Sequence, residues 1–239
     1  MNSGVYPLAA SMINQLNRVD ALSNNLANSN TTAFKQDNLT EGSFNYYLER
    51  AAKEKTPVST ISTITNTIPK IDSNFVDKNM GAIVPTNNKL DFAIKENNMF
   101  FKVQNPQTKE ILLTRDGAFN IVNDMLVTKN GFNVLNNDNG LIATEGNFET
   151  QISLVKSEFT NLEKQGNNNY RISQARLTTI LPENEEFMLQ GALEKSNVNS
   201  ITTMVGLIDS HRRFEQASKA MTGIDDINKK LIEKIGRAV

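Results

Sequence analysis

Two apolar-striped helical segments stand at the ends of this chain, separated by a long stretch that does not read as helix. That arrangement limits the available folds more than any other feature. Over residues 4–28 one seam runs Leu8, Met12, Val19, Leu22 and Leu26, and a second runs Tyr6, Ala9, Ile13 and Leu16. Apolar residues at three- and four-residue steps mark a helix, and two stripes call for more than one apolar neighbour. Pro7 suits a first helical turn. Over residues 198–236, Met204, Leu207, Phe214, Met221, Ile224, Leu231 and Ile235 recur at the same steps, with His211 and Ala217 on that face. Val198, Ile201, Val205 and Ile208 add a second stripe to the first half. Ser196 or Asn197 is placed to cap the start. Such helices are marginal alone, because tertiary packing supplies most helical stability. The two ends are therefore expected to pair with each other and with further copies of themselves.

Between them the pattern changes. Residues 29–75 read as a turn and an extended arm, with a short helix in "YYLERAAKEK" and a β-branched extended run in "TPVSTISTITNTIPKI". Residues 76–190 read as β. "KLDFAIKE" alternates Leu90, Phe92 and Ile94 with Asp91, Ala93 and Lys95. The run from Glu110 to Ile142 holds four short apolar segments. Turn signals punctuate it at Asp116-Gly117, Asn123-Asp124, Asn130-Gly131 and Asn139-Gly140. "ISLVKSEF" and "YRISQARLTTIL" add strands. Closely spaced hairpins imply a mainly antiparallel sheet.

Composition narrows the function. The 239 residues carry a formal net charge of −1, which offers no bulk attraction for nucleic acid. Mean hydropathy is −0.40, and no apolar run approaches a membrane span, so no membrane insertion is expected. The opening residues lack the basic and continuous apolar regions of a cleaved secretory signal. Cysteine is absent, which removes thiolate nucleophiles and Cys-based zinc sites. No phosphate-binding glycine loop, dinucleotide fingerprint or nucleophile elbow occurs. The one histidine, His211, reads as a partly buried helix residue near Asp209 or Glu215. Arg212 and Arg213 read as a solvated face or an ion pair with those acids. No enzyme activity, cofactor, catalytic residue or metal site is expected.

One stretch remains, "LSNNLANSNTTAFK" at residues 22–35. Asparagine is a poor helix-interior residue, because its side chain competes for backbone hydrogen bonds. The stretch resembles the N-terminal motif of bacterial flagellar rod and hook proteins, with Asn24, Asn25, Leu26, Ala27, Asn28, Asn30, Thr31, Phe34 and Lys35 in register. Ala33 stands where that family usually has glycine. "NNKLDFAIKENNMFFKV" and "LLTRDGAFNIVNDMLVTKNGFNVL" are similar to further segments of it, the latter through Thr114, Arg115, Gly117 and Phe119. "QGNNNYR" resembles a Gly-Asn-x-x-Tyr turn. The C-terminal block matches at Gly191, Leu193, Ser196, Asn197, Val198, Arg213, Phe214 and Glu215.

The resemblance implies a mixed α and β fold, with long N- and C-terminal helices forming a coiled-coil pair and a central, mainly antiparallel β domain. It implies an assembly helix and motif over 1–35, an arm over 36–75, an outer β domain over 76–190 and an assembly helix over 191–239. It also implies a structural subunit of the basal-body rod, exported by the flagellar type III apparatus. Partners would be copies of itself and related axial proteins. The expected assembly interface comprises Leu8, Met12, Leu16, Val19, Leu22, Asn24, Asn25, Leu26, Asn28, Asn30, Thr31 and Phe34 near the start. Near the end it comprises Asn197, Val198, Ile201, Met204, Leu207, Ile208, Phe214, Met221, Ile224 and Leu231. Phe44 and Leu48 are similar to an export-gate recognition pattern. The runner-up readings are a hook or lineage-specific hook-basal-body subunit and a helical protein-binding adaptor.

Overall fold

The N-terminal periodicity becomes α1, Val5–Ala27, and the C-terminal one becomes α2, Ser200–Gly236, in a computed structural model of the chain. The structure describes residues 5–42, 70–144, 146–166, 168–172, 178–180 and 187–236. The short helix expected in "YYLERAAKEK", most of the β-branched run after it, and Phe44 and Leu48 lie outside the described residues.

The described chain divides into two units. Among the described residues, one comprises 5–27, 37–42, 70–75 and 199–236; the other comprises 28–36 and those described between 76 and 198. In the first, α1 lies against α2, and β1 (Asp37–Gly42) pairs with β2 (Lys70–Val76). The covered seam of α2 is Thr203, Leu207, Ser210, Phe214, Ala217, Met221, Ile224 and Asn228, each buried or half-buried. These alternate steps of four and three residues, a 3.5-residue repeat that keeps one stripe facing a neighbouring helix. Met204 and His211, placed on that face by apolar spacing, are exposed instead. Thr203 and Ser210 take the seam because the repeat, not the polarity of single residues, sets which positions face inward. His211 is thus solvent-facing rather than partly buried, and it sits 3.4 Å from Glu215. Arg213 pairs with Asp209 at 2.8 Å. On α1 the covered seam is Leu8, Met12, Gln15, Val19, Leu22 and Leu26. Gly206 of α2 faces Leu22, whose methyls a Cβ there would meet in ordinary contact at 3.5 and 3.7 Å.

The second unit is built on a nine-stranded antiparallel sheet. Its strands are β5 (Met99–Gln104), β6 (Ile111–Thr114), β7 (Phe119–Val122), β8 (Met125–Thr128), β9 (Asn133–Val134), β10 (Leu154–Lys156), β11 (Leu162–Lys164), β12 (Asn169–Ile172) and β13 (Thr178–Ile180). The path runs β11-β12-β6-β5-β9-β8-β7, with β10 bridging β5 and β13. Side chains alternate across a strand, and here both faces are covered. Met99, Phe101, Val103, Leu112 and Leu154 join one apolar cluster; Phe100, Leu113, Val155 and Tyr170 join another. Two short ladders complete the unit. β3 (Ile83–Pro85) pairs with β15 (Ala192–Glu194), and β4 (Phe92–Ile94) pairs with β14 (Met188–Gln190). Phe92, Ala93 and Ile94 are all buried, so the apolar–polar alternation expected in "KLDFAIKE" does not produce a wet face.

The turn signals act by different means. Asn123 and Asp124 both adopt positive φ, 52° and 59°, in the two-residue turn joining β7 and β8. Such turns match the twist of the flanking strands. Gly117 does not sit at positive φ. Its role is close approach: a Cβ there would lie 1.8 Å from the Phe92 carbonyl oxygen.

Candidate functional site

The asparagine-rich stretch that leaves α1 supplies the first part of the site. Asn25 is fully buried within the helical unit. Its Nδ2 donates to the Asp37 carbonyl at 2.7 Å, and its Oδ1 accepts the Asp37 N–H at 2.9 Å. One amide side chain thus satisfies both backbone groups of a residue twelve positions on, which compensates its low helix propensity. Asn24 is exposed. In the β unit the chain turns at Asn28, whose carbonyl accepts the Thr31 N–H at 3.1 Å and whose Oδ1 accepts the Thr31 hydroxyl at 3.1 Å.

Ala33 and Phe34 carry the chain inward. Ala33 has φ of 53° and no solvent exposure, and its N–H donates to the Glu194 carbonyl at 2.8 Å. The left-handed conformation explains why glycine suits this position, since a Cβ there costs roughly 1–2 kcal/mol. Phe34 is buried, with the Lys164 ammonium 4.0 Å from its ring centroid. That ammonium also donates to the Lys35 carbonyl at 3.1 Å. Asn168 Nδ2 donates to the Thr32 carbonyl at 2.7 Å.

Lys35 ends in a buried charge cluster. Its Nζ donates to Glu194 Oε1 and to the Asn79 carbonyl, each at 2.7 Å. Arg115 donates from Nε and Nη2 to Glu194 Oε2 at 3.0 and 2.8 Å. Its Nη1 faces the carbonyls of Glu96, Asn97 and Met99 at 2.8, 2.9 and 2.8 Å. The Gly81 N–H completes the Glu194 carboxylate at 3.0 Å. Each carboxylate oxygen therefore accepts two donors, its full capacity. The three side chains are 0–1% exposed. Burial holds the Lys35 ammonium below the usual lysine range, against the attraction of Glu194; the like charge of Arg115 pushes the same way. The cluster carries one positive charge more than its carboxylate neutralises, and the surrounding carbonyl dipoles offset part of it.

Asn197 closes the site. Sequence placed it as a helix cap; the cap is Asn199, whose Oδ1 accepts the N–H groups of Ile201 and Thr202 at 3.0 and 3.2 Å. Asn197 instead accepts the Gln36 N–H at 2.8 Å and donates to the Asn79 carbonyl at 3.0 Å. Its own N–H donates to the Phe34 carbonyl at 3.2 Å. Residues 33–36 are thereby clasped to residues 194–197 within the β unit.

The structure brings Phe34 and Asn197 beside this cluster, and Asn28 and Thr31 form the turn that leads into it. The remaining predicted interface residues lie on the helices, except Asn30 and Val198. Leu8, Met12, Val19, Leu22 and Leu26 are half-buried on α1, and Leu207, Phe214, Met221 and Ile224 are half-buried on α2. Leu16, Ile201, Met204, Ile208 and Leu231 are exposed, as is Asn30; Val198 is buried. Sequence reasoning missed Glu194 and Lys164. The available signal was that each resembling segment contributes one buried cation, Lys35 or Arg115, which demands a carboxylate elsewhere. No cluster of three or more metal-ligating side chains occurs among the described residues. No described helix is long and apolar enough to cross a membrane.

Fold and site together define a helix-flanked β protein whose segments just after α1 and just before α2 are locked by one buried ion cluster. Comparison with known proteins shows what that class resembles. Residues 9–35 match the flagella basal body rod protein family, and residues 189–234 match the C-terminal domain family of the flagellar basal body rod FlgEFG proteins. The chain is 28% identical to the flagellar basal-body rod protein FlgF of Rhizobium meliloti, over 99% of each chain. It is 29% identical to the rod protein FlgG of Buchnera aphidicola subsp. Baizongia pistaciae, over 89% of this chain and 92% of that one. It is 24% identical to the flagellar hook-basal body complex protein FlhO of Bacillus subtilis, over 99% and 100%. The chain is thus similar to flagellar basal-body rod proteins at both ends and along nearly its whole length.

Proposed function

We propose that this chain, a structural subunit of the flagellar basal-body rod, leaves the cytoplasm through the flagellar type III export apparatus and polymerises through α1 and α2. In this reading the two helices form a coiled-coil pair that lines the axial shaft, and the β unit faces outward. Copies of the chain and related axial proteins are its partners. The observation that supports the reading is a misplaced polarity on the helices. Asn14 and Gln15 are buried at 8% exposure, and the Gln15 Oε1 has no hydrogen-bond partner. Meanwhile Ile13 and Leu16 on α1 are about half exposed, and Ile201, Met204, Val205 and Ile208 on α2 are 50–75% exposed. Four large apolar side chains on two adjacent turns are a face that water does not favour. Further subunits packing on these stripes would remove that cost.

The test is complementation. A strain deleted for this chain should yield basal bodies whose axis stops short, as seen by electron cryomicroscopy. Ile201→Glu/Val205→Glu should leave the purified monomer folded, since both positions are solvent-facing, yet fail to restore axis growth. Full restoration by that variant would refute polymerisation through α2.

A further inference from the structure

We propose that residues 188–198 are a closing latch whose Glu194 carboxylate licenses the β unit to fold, so that the unit remains open until the C-terminal part of the chain arrives. The inference is independent of where the subunit assembles.

Two observations carry it. The first is charge. Lys35 and Arg115 end side by side with no solvent exposure, and Glu194 is the carboxylate that touches both. Before Glu194 is in place, closing the unit would bury two like charges together, and a carboxylate-free pocket of this kind is strongly unfavourable. Asp77 acts on Lys35 only at longer range, and Lys164 bonds the Lys35 backbone rather than its ammonium. The second is pairing. Among the described strands, β3 and β4 have ladder partners only in β15 and β14, which lie at residues 188–194. The backbone between and beyond them adds further closures. The Gly191 N–H donates to the Asp91 carbonyl at 2.8 Å, and the Thr86 and Asn87 N–H groups donate to the Gly191 carbonyl at 2.7 and 3.1 Å. Lys195 donates to Ala82 at 2.9 Å. The N-terminal segment 33–36 then has its own partner in residues 194–197. One C-terminal run therefore completes two ladders, brings the one carboxylate that two buried cations share and seats the N-terminal motif. Because the steps share a single carboxylate, they are coupled rather than additive.

Pulse-labelled hydrogen exchange during refolding of the full chain from urea tests the order. The sheet amides of Leu126, Leu135 and Ser153 should gain protection in the same phase as the latch amides of Gly191 and Asn197 and the Ala33 amide that the latch seats. Protection of the sheet in an earlier, separate phase overturns the proposal. Charge balance is tested by equilibrium unfolding. Glu194→Gln should lower the folding constant of the β unit by about 10²–10³-fold. Adding Lys35→Met to that variant should recover about tenfold or more, because it removes one of the two orphaned cations. Should Glu194→Gln fail to fold, a folded Lys35→Met/Glu194→Gln chain gives the same support. Additive losses, or no recovery in the double variant, overturn it.

Discussion

Asp116 shows how a single side chain in the Thr-Arg-Asp-Gly turn shapes stability. It is 8% exposed, and burial pushes its carboxyl up to about 6, with the nearby Asp91 adding to the rise. The Ala118 N–H, which donates to Oδ1 at 3.1 Å, and the charge of Lys129 oppose the shift. Between its ordinary carboxylate value and about 6, the native state holds a proton that the unfolded chain has released. Stability therefore falls as pH rises through that window. Asp116→Asn keeps an acceptor oxygen for Ala118 and removes the ionisation. Urea unfolding at pH 7.5 should show a gain of about 2 kcal/mol, fading to nothing below pH 4. A second residue-scale expectation concerns Ala33. Its positive φ tolerates a methyl but not a branched side chain, and the site is fully buried. Ala33→Val should cost more than about 2 kcal/mol, read as a lowered unfolding midpoint of the β unit.

Elements in this chain are joined by side chains that sequence propensity undervalues. Asn25 ties α1 to the start of β1 through both backbone groups of Asp37. Asn25→Ala should cost about 2 kcal/mol within the helical unit and release the Asp37 amide to fast exchange. Asn199 starts α2 through two N–H groups. Asn199→Ala should cost about 1 kcal/mol and speed exchange at Ile201 and Thr202, while leaving amides beyond the second turn unchanged. Asn197→Ala should instead weaken the β unit, because its partners are Gln36 and Asn79 rather than the helix start. Comparing the two variants by exchange separates cap from clasp. The seam of α2 makes a related point. Thr203 and Ser210 are almost fully buried while Met204 and Val205 are exposed, so the repeat length overrides residue polarity in choosing the covered face.

At the scale of the molecule, the β unit is self-sufficient and the helices are not. Its central strands are covered on both faces, and Glu194 offsets one of the two buried cations it touches while backbone carbonyls face the other charge. The helical unit buries amides and leaves aliphatic side chains in water. If the terminal helices set register in a polymer, Asn24→Ala/Asn28→Ala should impair motility in complementation while circular dichroism of the β unit stays unchanged. Normal motility of that double variant would show that these asparagines do no more than end α1.

Much of this architecture was legible in the residue order. Local periodicity determined the two terminal helices to within a residue or two, because a 3.6-residue repeat is visible without knowing any partner. Turn dipeptides such as Asn123-Asp124 determined the hairpins, because positive φ is a property of the residues themselves. Motif resemblance located Lys35 and Arg115 without saying why they are there. Only the tertiary structure decided that both converge on Glu194, that Asn197 clasps rather than caps, and that Thr203 displaces Met204 on the seam. The physical reason is range. Hydrogen-bond and dihedral preferences act over a few residues, whereas neutralising a buried cation requires a carboxylate that the chain brings from 159 positions away.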